Sequence, residues 1–417
     1  MEKSGKFRLT SLERNWILYD VGNSAFVLMV ATLIPIFFNA LAAAGGLSSV
    51  EYLAYWGYAS SAVTVITAVL SPILGTVADT KGFKKPIFIL CVFVGIVGCC
   101  AMGAASAWLP FLVIFVIAKV GFSGSLVFYD SMLSDVTTPE RMDEVSSRGY
   151  AWGYIGSCVP FVVCLGLVLG AGSIGISQMT ALNLALLLTA AWGLLTTLPL
   201  LKSYKQLYYV EVEKHAVRQS FARIGHTLRH LPEDKQVFWF LLAFFCYIDG
   251  VYTIIDMATA YGTALGLDTT GLLLALLVTQ IVAFPSALVF GRLSNKYPSA
   301  KLIPVCIAAY AGIAVFAFFL TRQWQFWVLA VIVGMFQGGV QALSRSHFAK
   351  IIPPEKSGEY FGLFDICGKG ASFLGTMIVS VGSQLTGSAN VGVGSLIVLF
   401  IVGFVLFRVS CRQGETA

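Results

Sequence analysis

Charged side chains inside long apolar runs are the groups in this chain with chemistry to offer. Asp20 lies within Trp16–Leu41, a stretch long enough to cross a bilayer as one helix. Asn23 and Ser24 follow it at offsets of three and four, which puts all three polar groups on one helix face. A carboxylate turned toward lipid costs roughly 3 kcal/mol or more, so this face must look into protein or a water-filled cavity. Other runs carry similar stripes. Lys119, Ser123, Asp130 and Ser134 follow helical spacing, as do Asp249, Tyr252, Thr253 and Asp256. So do Asp365, Lys369, Ser372 and Thr376, and so do Gln337, Gln341 and Ser344, with Arg345 beside them. Such stripes belong to helices that line a central polar cavity.

Several kinds of chemistry are open to these groups. Asp20 and Asp249 stand at matching places in two halves of the chain. A carboxyl group moved between water and an apolar span can exchange a proton; the competing expectation is permanent neutralisation by Lys119 or Lys369. Asp365 and Lys369 are four apart with the acid first, the favourable order for a helical ion pair, so mutual neutralisation competes with substrate binding. Lys119 has no acid at that spacing. It is expected to anchor a substrate carboxylate or to pair with Asp249. Arg345 and Asp130 lie near the same membrane face, where an inter-bundle gate and local helix capping are both open. Trp16, Tyr19, Tyr150, Trp152 and Tyr154 are candidate walls of a substrate site. Hydrolytic arrangements are missing from the spans: there is no H-E-x-x-H, no Ser-His-Asp order and no Walker A pattern. Neither an enzyme, a metal site nor a cofactor is expected.

The elements that must position these groups follow from composition. Of the 417 residues 57% are hydrophobic and only 12% charged, about half the charge of a soluble protein. Apolar runs fall at about 14–43, 50–78, 86–107, 109–136, 146–171, 177–201, 236–265, 269–293, 302–321, 324–349, 357–386 and 391–408, twelve spans in all. The first is too long for the apolar core of a cleavable signal and contains Asp20. The nine cysteines sit in or beside these runs without metal-ligand spacing and read as small buried apolar residues.

Lys and Arg gather at the N-terminus, in every even loop and at the C-terminus, while Arg322 is the only basic residue in the odd loops. The positive-inside rule therefore places both termini in the cytoplasm. It explains the net charge of +6 without nucleic acid. The long sixth loop, with Lys214, Arg218 and Arg223, divides the chain into bundles at 1–201 and 236–417 joined by a linker at 202–235. A basic surface helix touching lipid headgroups is expected over Val210–Leu231. His226 and His230 are four apart there and lack a third ligand, so they read as solvated surface.

The halves repeat. Gly75-T-V-A-D-T-K-G-F-K-K85 ends the second span and Gly291-R-L-S-N-K-Y-P-S-A-K301 the eighth, so that Asp79 corresponds to Asn295. Thr138-Pro139-Glu140 likewise matches Pro353-Pro354-Glu355. The twelve-span layout with Gly75, Asp79, Gly82, Lys84 and Lys85 in this pattern resembles the major facilitator superfamily. Tyr19-Asp20 with Asn23-Ser24-Ala25-Phe26, Asp249-Gly250, and Gly149-Tyr150 with Gly153-Tyr154-Ile155-Gly156 is similar to the autophagy-related vacuolar effluxer branch and its bacterial relatives. Tyr252 departs from the polar, often amide, residue of that branch.

The resemblance implies an all-α protein of two pseudo-symmetric six-helix bundles that rock about a mid-membrane site. Gly75 would permit close helix approach. Asp79 would accept hydrogen bonds from the N-terminal end of a neighbouring helix, the eleventh. Lys84 and Lys85 would hold the cytoplasmic face closed through carboxylates or helix C-termini. The expected function is secondary transport of a small polar or zwitterionic solute, of the amino-acid class, by export and with proton coupling. Asp20, Asn23, Ser24, Lys119, Asp249, Tyr252, Gln341, Asp365 and Lys369 form the expected substrate or coupling site. The competing expectations are an exporter of organic anions or drugs and a non-transporting membrane sensor. A monomer in the inner (plasma) membrane of a bacterium, with a small-molecule substrate and the lipid bilayer as partners, completes the reading.

Overall fold

The computed structural model describes residues 7–211, 225–227 and 229–416. Lys214, Arg218, Arg223 and most of the basic helix expected over Val210–Leu231 lie outside these residues. Twelve helices among the described residues are long and apolar enough to cross a membrane. In chain order they are α1 (Ser11–Ala44), α2 (Ser49–Ala78), α3 (Lys84–Ala104), α4 (Trp108–Ser131), α5 (Met142–Leu169) and α6 (Gln178–Ser203). The second half follows as α7 (Lys235–Ala264), α8 (Thr269–Leu293), α9 (Ser299–Phe318), α10 (Gln323–Ile351), α11 (Ser357–Thr386) and α12 (Ala389–Gly414). Helices answer the absence of water in lipid, because each satisfies its own backbone.

Local chemistry sets where they begin and break. Thr10 and Ser48 accept from the amides of Glu13 and Glu51, whose carboxylates reach back in capping boxes at α1 and α2. Asp234 and Asp268 cap α7 and α8. The first span is not the continuous helix the run suggests: it breaks at Thr32, between Ala31 and Leu33. Pro35 lacks an amide proton and its ring crowds the Ala31 carbonyl, so the turn cannot close normally.

The helices form two bundles. The main contacts between them are α2 with α11, α5 with α8, α5 with α10 and α4 with α11, while α3, α6, α9 and α12 pack chiefly within their own halves. The latter four carry no charge in their interiors. All nine cysteines are free. The first and last described residues and the described parts of the even loops share one end of the bundles, the basic face.

Small residues set the closest approaches there. A side chain at Gly75 would meet the Gly358 carbonyl oxygen at 2.1 Å, and one at Gly291 would meet Ser147 Cβ at 2.9 Å. These are the same seam drawn twice, α2 on α11 and α8 on α5. The repeat also appears in side-chain pairs: Tyr19 OH lies 2.6 Å from Ser125 Oγ, and Tyr247 OH lies 2.6 Å from Ser344 Oγ.

Candidate functional site

The bundles are tied together at the basic face. Asp79, at the end of α2, accepts from the backbone amides of Gly358 (2.7 Å) and Glu359 (2.8 Å). These are orphan donors at the start of α11, where the helix dipole favours a negative charge. Lys84 is fully buried, donates to Ser357 Oγ at 2.9 Å, and lies 3.7 Å from Asp79 and 3.6 Å from Asp135. Lys85, expected to share this work, donates instead to the carbonyl of Tyr204 (3.4 Å), the C-cap of α6 in its own bundle. That bond, to a helix C-terminus, stays within the N-terminal bundle.

The segment after α6 runs along the same corner. Asp135 accepts from the Tyr204 hydroxyl (2.5 Å) and from the amides of Leu207 and Tyr208 (both 3.0 Å). Gly82, whose φ of +79° suits glycine, donates its amide to Gln206 Oε1 at 3.0 Å. Lys81 sits 3.2 Å from Glu211, and that hydrogen bond holds its ammonium above the usual lysine range.

On the second seam Glu144 accepts from Asn295 (2.8 Å) and from Arg148 (2.5 Å). Asp143 accepts from Ser346 (2.6 Å) and pairs with Lys350 at 2.6 Å. Arg345 of α10 reaches into the N-terminal bundle and pairs with Asp130 at 2.9 Å. Of the two expectations for these residues, this geometry is the inter-bundle link and not local capping. Tyr154 donates to Gln341 at 2.5 Å across the same interface. Asp135, Asp143 and Glu144 were not singled out by spacing. Each stands at a helix end beside a loop, where an acid looks like ordinary solvated charge.

Asp20 and Asn23 are buried, and Asp20 faces Gly153 of α5: a side chain there would meet Asp20 Cγ at 3.5 Å and Ser24 Oγ at 2.8 Å. Asp249 is fully buried and accepts from the Gly375 amide of α11 (2.8 Å) and from Thr253 (3.3 Å). The expected match of the two acids therefore extends to their partners, a glycine on the fifth helix of each bundle. Of the two surroundings expected for the Asp20 face, protein or a water-filled cavity, the structure gives protein. The expected Lys119–Asp249 pair is not formed among the described residues: Asp249 accepts from Gly375 of α11 and from Thr253 of its own helix. One carboxylate oxygen of each acid, with Asn23 Oδ1, has no hydrogen-bond partner among the described residues.

On α11, Lys369 pairs with Asp365 at 2.6 Å, and Ser71 of α2 donates to the same Asp365 oxygen at 2.7 Å. Mutual neutralisation is thus realised. Lys119, on α4, makes no salt bridge among the described residues; its ammonium lies over Phe26 at 5.9 Å. The charges acting on it are Lys369 and Asp256, and Lys119 is the one that acts on Asp256. Asp256 is exposed and likewise forms no salt bridge among the described residues. Its i+7 relation to Asp249 was legible, but only Asp249 matched the repeat. Tyr252 stands between these regions, within the fields of Asp130, Asp365 and Asp256. Trp152 is corrected: it is 46% exposed and packs edge-on against Phe284, outside the cavity.

Comparison with known proteins agrees with this architecture. The family described as "Vacuole effluxer Atg22 like" matches residues 11–142 and 134–416. An MFS-type transporter of Bacillus subtilis (strain 168), YxiO, is 42% identical over 98% of this chain and 97% of its own. Autophagy-related protein 22 of Saccharomyces cerevisiae (strain ATCC 204508 / S288c) is 27% identical over 58% of this chain, and the match spans about half, 53%, of that protein. Among solved structures, the human organic anion transporter MFSD10 superposes with a TM-score of 0.72 at 14% identity, covering 95% of this chain and 98% of that one. FucP in its outward conformation gives 0.71 at 16% identity, covering 96% and 97%. At such identities the likeness is one of fold. The chain is a multi-pass transporter of the major facilitator superfamily and belongs to its Atg22-like vacuole effluxer family.

Proposed function

We propose that this transporter carries a small zwitterionic solute of the amino-acid class by alternating access. The observation that carries the reading is a split pair of charges. Lys119 belongs to the N-terminal bundle and Asp256 to the C-terminal one, they act on each other, and neither is consumed by a salt bridge among the described residues. A carboxylate on Lys119 and an ammonium on Asp256 would let one solute engage both bundles. Organic anions are the weaker reading, because the second cavity lysine, Lys369, is already neutralised by Asp365.

Burying an unpaired charge is costly, so Asp20 and Asp249, each with an unpartnered oxygen, are our candidates for proton coupling. Export is read from the family's description as effluxers. We take the basic face as cytoplasmic, which puts both termini inside and makes the ties of Asp79, Lys84, Asp130 and Arg345 a cytoplasmic gate, closed here. The bundles are assigned to 1–201 and 236–417, with 202–235 between them.

The test is flux of an amino-acid panel through proteoliposomes with and without a proton gradient, for the native protein and Asp20→Asn. Gradient-driven flux lost in Asp20→Asn while exchange persists is the expected result. A panel in which no amino acid moves, even by exchange, overturns the substrate class.

A further inference from the structure

The guanidinium of Arg345 sits in a box built almost wholly by the other bundle. Its carbon lies 4.3 Å from the ring centre of Tyr150, 4.8 Å from Trp16 and 5.3 Å from Tyr129. Three planar faces at this range form an aromatic cage for a cation. Asp130 and Ser146 supply acceptors at 2.9 Å, and the Ser146 carbonyl another at 3.0 Å.

The walls hold one another without Arg345. Trp16 Nε1 donates to the Tyr129 carbonyl at 2.9 Å, and the two rings stack at 4.3 Å and 14°. Gly149 keeps the floor clear: a side chain there would stand 3.1 Å from Trp16, from Tyr129 OH and from Arg345 alike. Two further buried polar groups stand beside the cage, Tyr129 OH and the Asp20 carboxylate, which act on each other. Asp20 feels Arg345 as its main opposite charge.

Arg345 enters from α10, across the interface that must part when the basic face opens. Its departure would leave a preformed, acid-lined cage on the N-terminal bundle. We propose that this cage is a loading site for the cationic head of the transported solute, a guanidinium or primary ammonium group, and that Arg345 occupies it as an internal surrogate whenever the basic face is closed. A solute bound there excludes Arg345 and so favours the open face, since a ligand shifts a conformational equilibrium only by its differential affinity. Movement of the solute toward Lys119 and Asp256 frees the cage, and Arg345 returns behind it. The inference rests on the alternating-access reading above, and adds to it a second site with its own chemistry.

The experiment uses the full chain in nanodiscs and n-butylguanidinium, n-butylammonium and n-butanol as probes. In Arg345→Ala, calorimetric titration should give saturable binding of the two cations and none of butanol. Adding Trp16→Leu or Asp130→Asn should weaken it by about tenfold or more. Should Arg345→Ala not purify as a monodisperse protein, Arg345→Gln, which keeps the bulk, takes its place.

In the native protein, butylguanidinium should widen the distance between spin labels at Glu140 and Lys301, exposed residues at the basic face of the two bundles. Cation binding indifferent to Trp16 and Asp130, or no widening in the native protein, overturns the proposal. Amino-acid flux measured on the same preparation separates the two readings. Flux without cage binding rejects the cage alone, whereas no flux rejects the transport reading beneath it.

Discussion

Two lysines of one five-residue motif have unequal surroundings. Lys84 is buried between Asp79 and Asp135, so Lys84→Ala removes a cation that two buried carboxylates share. That loss should cost about 3 kcal/mol or more, read as a clear fall in the unfolding temperature in detergent. Lys85→Ala removes one long bond to a carbonyl and should cost less than about 1 kcal/mol. Equal effects in the two variants would contradict the geometry. The resemblance to the major facilitator superfamily led to Asp79 and its donors on α11, and the helix dipole supplies the physical reason. It did not lead to Asp135, which is 51 positions from Lys84 by number and sits at a helix end like any solvated acid. Nor did spacing reveal that Asp20 and Asp249 turn to glycines on α5 and α11. A glycine announces room, but not which side chain uses it.

At the scale of elements, the spans were legible because lipid leaves so few alternatives. Apolar length and the parity of basic loops sufficed for twelve helices and for the uncharged outer set α3, α6, α9 and α12. The break in α1 was harder, since Pro35 reads as an ordinary proline of a membrane helix. Its cause is steric, so Pro35→Ala should close the turn between Ala31 and Leu33. Hydrogen–deuterium exchange across residues 28–36 should slow in that variant; unchanged exchange would mean that something other than the proline holds the break. The seam of α2 on α11 makes a matching point. Gly75→Val places methyl groups against the Gly358 carbonyl, and the two helix ends can no longer meet. The expected outcome is a shift of the Glu140–Lys301 spin-label distances toward a wider basic face, with helix content unchanged by circular dichroism.

For the whole molecule, the hydrogen bonds that cross between bundles among the described residues lie toward the basic face, and Tyr154–Gln341 lies about 15–18 Å from that end by helix rise. The split charges Lys119 and Asp256 lie beyond this closed half, one on each bundle. A solute that bridges them would link binding to the relative position of the bundles. The most direct measurement is inhibition of labelled amino-acid flux in proteoliposomes by the matching decarboxylated amine and deaminated acid, for the native protein, Lys119→Met and Asp256→Asn. Native protein should prefer the intact amino acid over either analogue by at least about tenfold, roughly one charge-assisted contact. Lys119→Met should lose the preference over the amine, and Asp256→Asn the preference over the acid. Equal inhibition by all three compounds, unchanged in both variants, would contradict a zwitterion held between the two bundles.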